Sequence, residues 1–306
     1  LEGEKMERSE MDETSIFKTK INKWSDQIKF TLPQVREGSV IEYTYLLSTE
    51  ASLLPGWQFQ HTIPCLRSEY KFFIPKSFEF RRDLQGELNI QEQSSEYEGS
   101  VQNFAMNDVP AFKEESFMTT PEDYISKVSF YLSQLFVPGR PLINFNRSWR
   151  SIINDLNSNP DFGVQIKTSN FLNKTVNEVT AGTIDDSGKI KAIFDYVKSH
   201  VKWNSVIDKI PDHSFKKVLE EKKGSSSEIN LMLVSMLQKS GLEAYPLLIS
   251  TRKHGKIRYS VPMFSQFNDV ICMVKLADKK ILLDGTDTNL PMNALPERCL
   301  NGDGLW

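Results

Sequence analysis

The chain has 306 residues, 39% hydrophobic and 11% aromatic, which is enough for one large or two ordinary domains, and two are expected. Its 37 basic and 40 acidic residues leave a formal charge of −3, which gives no reason to invoke nucleic acid or an anionic membrane surface as partner. No run approaches the roughly 18 consecutive apolar residues that a membrane span needs.

No signal-peptide pattern opens the chain at Leu1, where the sequence already reads as domain interior, so localisation is not legible from this end. After a polar opening, Ile28, Phe30 and Leu32 alternate with Lys29 and Thr31 until Pro33 breaks the strand. Val40–Leu47 is rich in aromatic and β-branched residues and is expected to be a strong strand. Further strands are expected around Trp57–Gln60, Tyr70–Ile74, Phe78–Phe80, Glu87–Ile90, Val101–Phe104 and Tyr124–Leu132, with prolines 55, 64, 75 and 110 between them. Short strands with turn signals at this spacing predict an antiparallel β-sandwich.

Val137-Pro138-Gly139-Arg140-Pro141 is the best linker candidate, so domains are expected over 1–138 and 139–306. The hydrophobic period then lengthens from that of a strand to that of a helix. Ser148 caps a helix through Ile152, Ile153 and Leu156 that Asn159-Pro160 ends; others cover Ser169–Val179, a stretch beginning at Asp186 or Ser187, and Phe215–Glu221. Ser225 with Glu228 forms a capping box, and Gly241 supplies the left-handed residue after Ser240. Between these caps almost no polar face remains, so this helix should be buried on most sides.

Strands return at Tyr245–Ser250, Phe267–Leu276 and Lys280–Asp284, the last two joined by a tight turn at Ala277-Asp278-Lys279. Helices first, then an antiparallel sheet packed on them, is an α+β arrangement. Residues 301–306 read as a cut through a continuing strand.

Cys65, Cys272 and Cys299 have no metal-ligand spacing and do not form a disulfide framework; His61, His200, His213 and His254 are scattered, and structural or surface roles suit them best. The unpaired N–H groups at the start of the capped helix favour an anion, which is where several hydrolase folds place a nucleophile. Papain-like thiol enzymes need a Cys there, a His on the first following strand and a carboxylate on the next.

Gly224-Ser225-Ser226-Ser227-Glu228, the helix ending at Ser240-Gly241-Leu242-Glu243-Ala244-Tyr245-Pro246-Leu247-Leu248, Asn268-Asp269-Val270-Ile271 and Leu283-Asp284-Gly285-Thr286 together resemble the transglutaminase-like core. Phe30–Pro33, Glu37–Tyr43 and Trp57–Gln60 resemble the uncharacterised β-sandwich domain that precedes such cores in exported Bacteroidetes proteins. The resemblance implies an α+β fold, N-terminal antiparallel β-sandwich followed by a transglutaminase-like domain, with no cofactor and a periplasmic or envelope location.

The catalytic residues do not carry over. Ser226 stands at the nucleophile position, Asp269 at the base position, and only the orienting carboxylate, Asp284, matches the family pattern. A serine gains less than a thiol from a helix N-terminus, because its hydroxyl must still lose a proton during attack. The expectation is therefore a pseudoenzyme that binds a peptide, protein or glycan. The alternative is a working hydrolase or acyltransferase using Ser226 with Asp269 and Asp284; these two carboxylates and a hydroxyl could also hold a cation or an amine. Strand alternation turns Cys272 to the face opposite Asp269, His254 reads as a surface residue, and Trp203 reads as core with a possible place on the cleft.

Overall fold

A computed structural model describes residues 8–22, 25–46, 54–96, 99–116, 118–292 and 294–306. The chain forms two units, Leu1–Glu50 and Ala51–Trp306. In the first, β1 (Ile16–Asn22) and β2 (Ser25–Phe30) pair antiparallel. The strand expected over Val40–Leu47 does not form: residues 40–46 carry no strand, and Leu47 lies outside the described residues. β-propensity describes fit to a half-buried pleated surface, and Val40 and Leu46, 91% and 96% exposed, have none to lie on. The Tyr43 ring instead meets Phe30 at 5.4 Å and Tyr45 at 6.4 Å.

The second unit begins with β3 (Trp57–Gln58), β4 (Cys65–Pro75), β5 (Phe78–Gln85), β6 (Gln91–Glu96), β7 (Gly99–Val109), β8 (Lys127–Leu135) and β9 (Ile143–Asn144). They make two antiparallel sheets, β3-β8-β5 with β9 on β8, and β4-β7-β6. Val128 and Phe130 of β8 meet Phe104, Met106 and Val109 of β7 in one apolar cluster with Phe59. Phe72 adds an edge-on ring contact to Phe130 at 4.8 Å, of the geometry aromatic quadrupoles favour. The strand expected at Glu87–Ile90 starts only at Gln91, because the chain turns at Gly86 with φ +99; a Cβ there would meet Ser126 Oγ at 2.3 Å.

Helices α1 (Trp149–Ser158), α2 (Gln165–Thr168), α3 (Leu172–Thr180) and α4 (Asp186–His200) follow, then β10 (Lys202–Trp203), α5 (Phe215–Glu221) and β11 (Lys223–Gly224). Ser148 caps α1 as its sequence predicts, in a capping box with Ser151, and Asn159 ends it. Helix α6 (Ser226–Lys239) has Ser225 at its N-cap and Glu228 closing the box, and Gly241 has φ +88. Every residue from Ser226 to Leu237 is buried.

Beyond α6 lies an antiparallel sheet in the order β12 (Glu243–Ile249), β13 (Asp269–Leu276), β14 (Lys279–Leu283). Leu276 faces Lys279 across the last turn, where Ala277 takes φ +51. Both faces of β13 are buried: Val270, Cys272 and Val274 join the large helical core, Ile271 and Met273 a smaller cluster with Leu247, Ile249 and Cys299. This parity sends Asp269 and Cys272 to opposite faces, as strand alternation requires.

Candidate functional site

The polar residues inside α6 hold the site's three segments in place. Asn230 is fully buried; its Nδ2 donates to Val270 O of β13 at 3.0 Å, and its Oδ1 accepts from Gly285 N, just past β14, at 2.8 Å. One amide side chain thus ties the start of β13 and the end of β14 to the first turns of the helix. Glu228 Oε2 accepts from Ser225 N at 2.8 Å, while its Oε1 takes His213 N at 2.8 Å and His213 Nδ1 at 2.9 Å. The capping box therefore also anchors the segment that leads into α5.

Ser226, the first residue of α6, is 0% exposed. Its N–H donates to Val206 O at 3.1 Å. Its Oγ donates to Asp208 O at 3.2 Å and accepts from Asp208 N at 3.1 Å. The Asp208 carboxylate accepts from Ser227 N at 3.1 Å, and burial pushes its pKa up to about 6. The helix-end donors that would stabilise a thiolate or an oxyanion are thus consumed by the 204–208 segment.

Asp269 and Asp284 are also 0% exposed, and they converge on a side chain that the motif reading missed, Arg298. Arg298 Nη2 donates to Asp284 Oδ2 at 2.5 Å and to Thr286 Oγ1 at 3.0 Å, and Arg298 Nε lies 3.4 Å from Asp269 Oδ2. The Nε contact is an ion pair without hydrogen-bond alignment. The guanidinium stacks 4.8 Å from the centre of the Trp203 ring. Asp284 Oδ1 accepts from Thr286 N and Thr286 Oγ1 at 2.8 and 2.6 Å.

These surroundings set the protonation states. Burial raises the Asp269 pKa to about 7; the neighbouring Ser226 hydroxyl and Arg298 pull it down, and Asp284 pushes it up. Burial works against the Arg298 charge, but Asp284, Cys299 and Asp269 more than compensate and raise its pKa. The Cys299 thiol, 3.3 Å from Asp284 Oδ2, is raised by burial and by that carboxylate, so it stays a protonated donor and not a nucleophile. Cys272 is raised by burial alone and is a core thiol.

The structure therefore brings Asp269 and Asp284 together beside Ser226, in a closed interior and not an open cleft. A cation does sit between the two carboxylates, and it is the chain's own guanidinium. One atom each from Asp269, Asp284 and Cys299 lie within 4.8 Å of one another, close enough to share a metal ion, yet Asp284 Oδ2 already accepts from both Arg298 and Cys299. Among the described residues no histidine is bonded to Ser226, Asp269 or Asp284: His213 is held by Glu228, and His254 pairs with Ser250 Oγ at 2.9 Å. Trp203 packs against the core with its Nε1 on Val206 O at 2.9 Å. Arg298, Asp208 and Asn230 carry no motif; only a basic residue within reach of two buried aspartates could have been anticipated, and not which one.

Residues 173–270 match the family described as "Transglutaminase-like superfamily", and residues 25–113 match the "Domain of Unknown Function" DUF3857. A "putative protease" from Parabacteroides distasonis is similar in structure, with TM-score 0.55 and 15% identity, covering 76% of this chain and 43% of its own. The chain thus spans less than half the length of that protein. A "putative cysteine protease" from Cytophaga hutchinsonii aligns with TM-score 0.33 and 14% identity over 76% of this chain and 74% of its own. No curated protein matches the sequence. At such identity the Parabacteroides likeness speaks for the fold, and it agrees with the helix-then-sheet order of α6, β12, β13 and β14. The chain joins a DUF3857 domain to a domain of the transglutaminase-like superfamily.

Proposed function

We propose that this chain is a transglutaminase-like protein without acyl-transfer activity, a binding or scaffolding module for a peptide or glycan. In this reading the sandwich domain spans 1–138 and the transglutaminase-like domain 139–306, and the protein works in a bacterial envelope, as the family resemblance implies. The observation that carries it is Arg298 clamped between Asp269 and Asp284, where the orienting carboxylate of a triad would have to hydrogen-bond the base directly. In a comparable triad, loss of nucleophile or base costs on the order of a million-fold in rate. Here the thiol and the imidazole are both replaced, and the seryl N–H is already spent on Val206 O.

One observation favours a second reading. Asp269, with a pKa of about 7, exchanges a proton near neutrality beside the Ser226 hydroxyl, which a non-standard hydrolase or acyltransferase would require. The two separate cleanly. Incubation with glutamine-containing peptides and an amine donor should release no ammonia above that of the Ser226→Ala variant, and fluorophosphonate should not label Ser226. Turnover that Ser226→Ala abolishes would sink the first reading and establish the second.

A further inference from the structure

A cavity of about 650 Å³ adjoins the buried site through Arg298 and Thr286, within the range of roughly 300–1,000 Å³ typical of small-molecule pockets. Its walls are basic, although the chain as a whole carries −3. Lys198 and His200 come from the last turn of α4, Lys202 from β10 and Lys222 from the end of α5, and Asp287 is the single carboxylate among the lining residues.

The backbone forces these cations together. β10 and β11 run parallel, with Lys202 opposite Lys223, and Lys202 N donates to Lys222 O at 2.9 Å. Among the described residues Lys198, Lys202 and Lys222 have no ion-pair partner. Lys198 Nζ rests on Leu290 O at 2.5 Å, and the Asp287 carboxylate accepts from Asn289 N at 2.8 Å. Lys222 holds φ +53, a conformation that glycine or asparagine usually fills at a helix end. Strained residues cluster at functional sites, although Ala277 shows that a turn alone can also hold one. A competing account is that Lys198, His200 and Lys222 merely answer the carbonyl ends of α4 and α5. It leaves Lys202, which lies beyond both helices, unexplained.

We infer that this cavity binds a compact oxyanion carrying two or more negative charges, a phosphate ester or a polycarboxylate, held by Lys202 and Lys222 with the Thr288 hydroxyl as a further donor. This goes beyond the peptide- or glycan-binding role proposed above and stands on the cavity alone. The two can fail separately: turnover at Ser226 would overturn the silent site and leave the cavity untouched.

The test is calorimetric titration of the whole chain with pyrophosphate and, separately, with citrate, in buffers matched in ionic strength with chloride. Saturable one-site binding of either is expected, pyrophosphate alone pointing to phosphate esters and citrate alone to polycarboxylates. Lys202→Ala with Lys222→Ala should weaken it at least tenfold. Lys174→Ala with Lys191→Ala, the same charge change elsewhere on the surface, should leave it within twofold. Absence of binding by either anion, or equal weakening in both double variants, would overturn the inference. Lys222→Gly guards against a folding defect: it should raise the thermal midpoint of the free protein while weakening anion binding. A raised midpoint with unchanged binding would show that Lys222 serves only the helix end, and the inference would fall.

Discussion

The buried site around Asp269 and the basic cavity beside it share Arg298 and Thr286, yet they treat charge in opposite ways. Inside, Asp269, Asp284 and Arg298 form a closed set: Asp284 faces the guanidinium, and the charge balances when Asp269, whose pKa burial raises to about 7, holds its proton. In the cavity, Lys202 and Lys222 come from adjoining backbone segments, and among the described residues neither has an ion-pair partner. Removal from water makes an unmatched charge intolerable in the first place and merely costly in the second. The interior supplies its own counter-charge, and the cavity is where an external partner has something to gain.

Breaking the closed set should have the largest effect. Arg298→Ala leaves two buried carboxylates without their cation and should cost about 3–5 kcal/mol in urea unfolding, because an uncompensated buried charge is far worse than a missing pair. If the loss is under about 1 kcal/mol, the site hydrates on truncation and is not closed.

The pH dependence sharpens the same point. The folded pKa of Asp269 lies near 7, against 3.8 for an unperturbed aspartate, so the folded state holds a proton that the unfolded chain releases. Stability from this group is full below about 4 and declines as pH rises to about 7, the opposite of a carboxylate whose pKa is depressed by its ion pair. Asp208, with its pKa raised to about 6, acts in the same direction over a narrower window. Unfolding measured from pH 4 to 7 should show a decline that Asp269→Asn reduces. An unchanged slope would mean that Arg298 keeps Asp269 ionised throughout.

Smaller changes probe the helix and the cavity rim. Ser225→Ala removes the N-cap of α6 and should cost about 1 kcal/mol in the same denaturation assay. The loss should stay that of a single cap, because the Glu228 carboxylate keeps the backbone N–H of residue 225 and His213. Lys222→Gly should stabilise by roughly 0.5–1 kcal/mol, since glycine meets no Cβ penalty in the left-handed region. A destabilised Lys222→Gly would mean that the lysine side chain contributes to the fold, and the contrast between matched interior and unmatched cavity would blur.

Much of α6 was legible in advance because its signals are local. Ser225 and Glu228 are three residues apart, Gly241 sits directly after the C-cap, and unbroken apolar spacing declares burial without reference to any other segment. The strand assignment at Val40–Leu47 rested on equally local propensity and failed, because a strand exists only when a second one pairs with it. Asp269 and Asp284 were located as the site's carboxylates through the family pattern, and the structure brings them together. What filled the space between them was not legible.

By itself, then, the sequence determined an α+β chain with a sandwich ahead of a transglutaminase-like core, a buried and doubly capped helix, and a site with serine and aspartate where a thiol and an imidazole would act. Tertiary structure alone decided that the site is closed and that a guanidinium closes it. Arg298 lies 14 residues beyond Asp284 in a short turn of no motif, and its place depends on how that turn packs over β13 and β14. Electrostatic partners are chosen by distance in space, and sequence spacing carries that information only within a single helix, strand or turn.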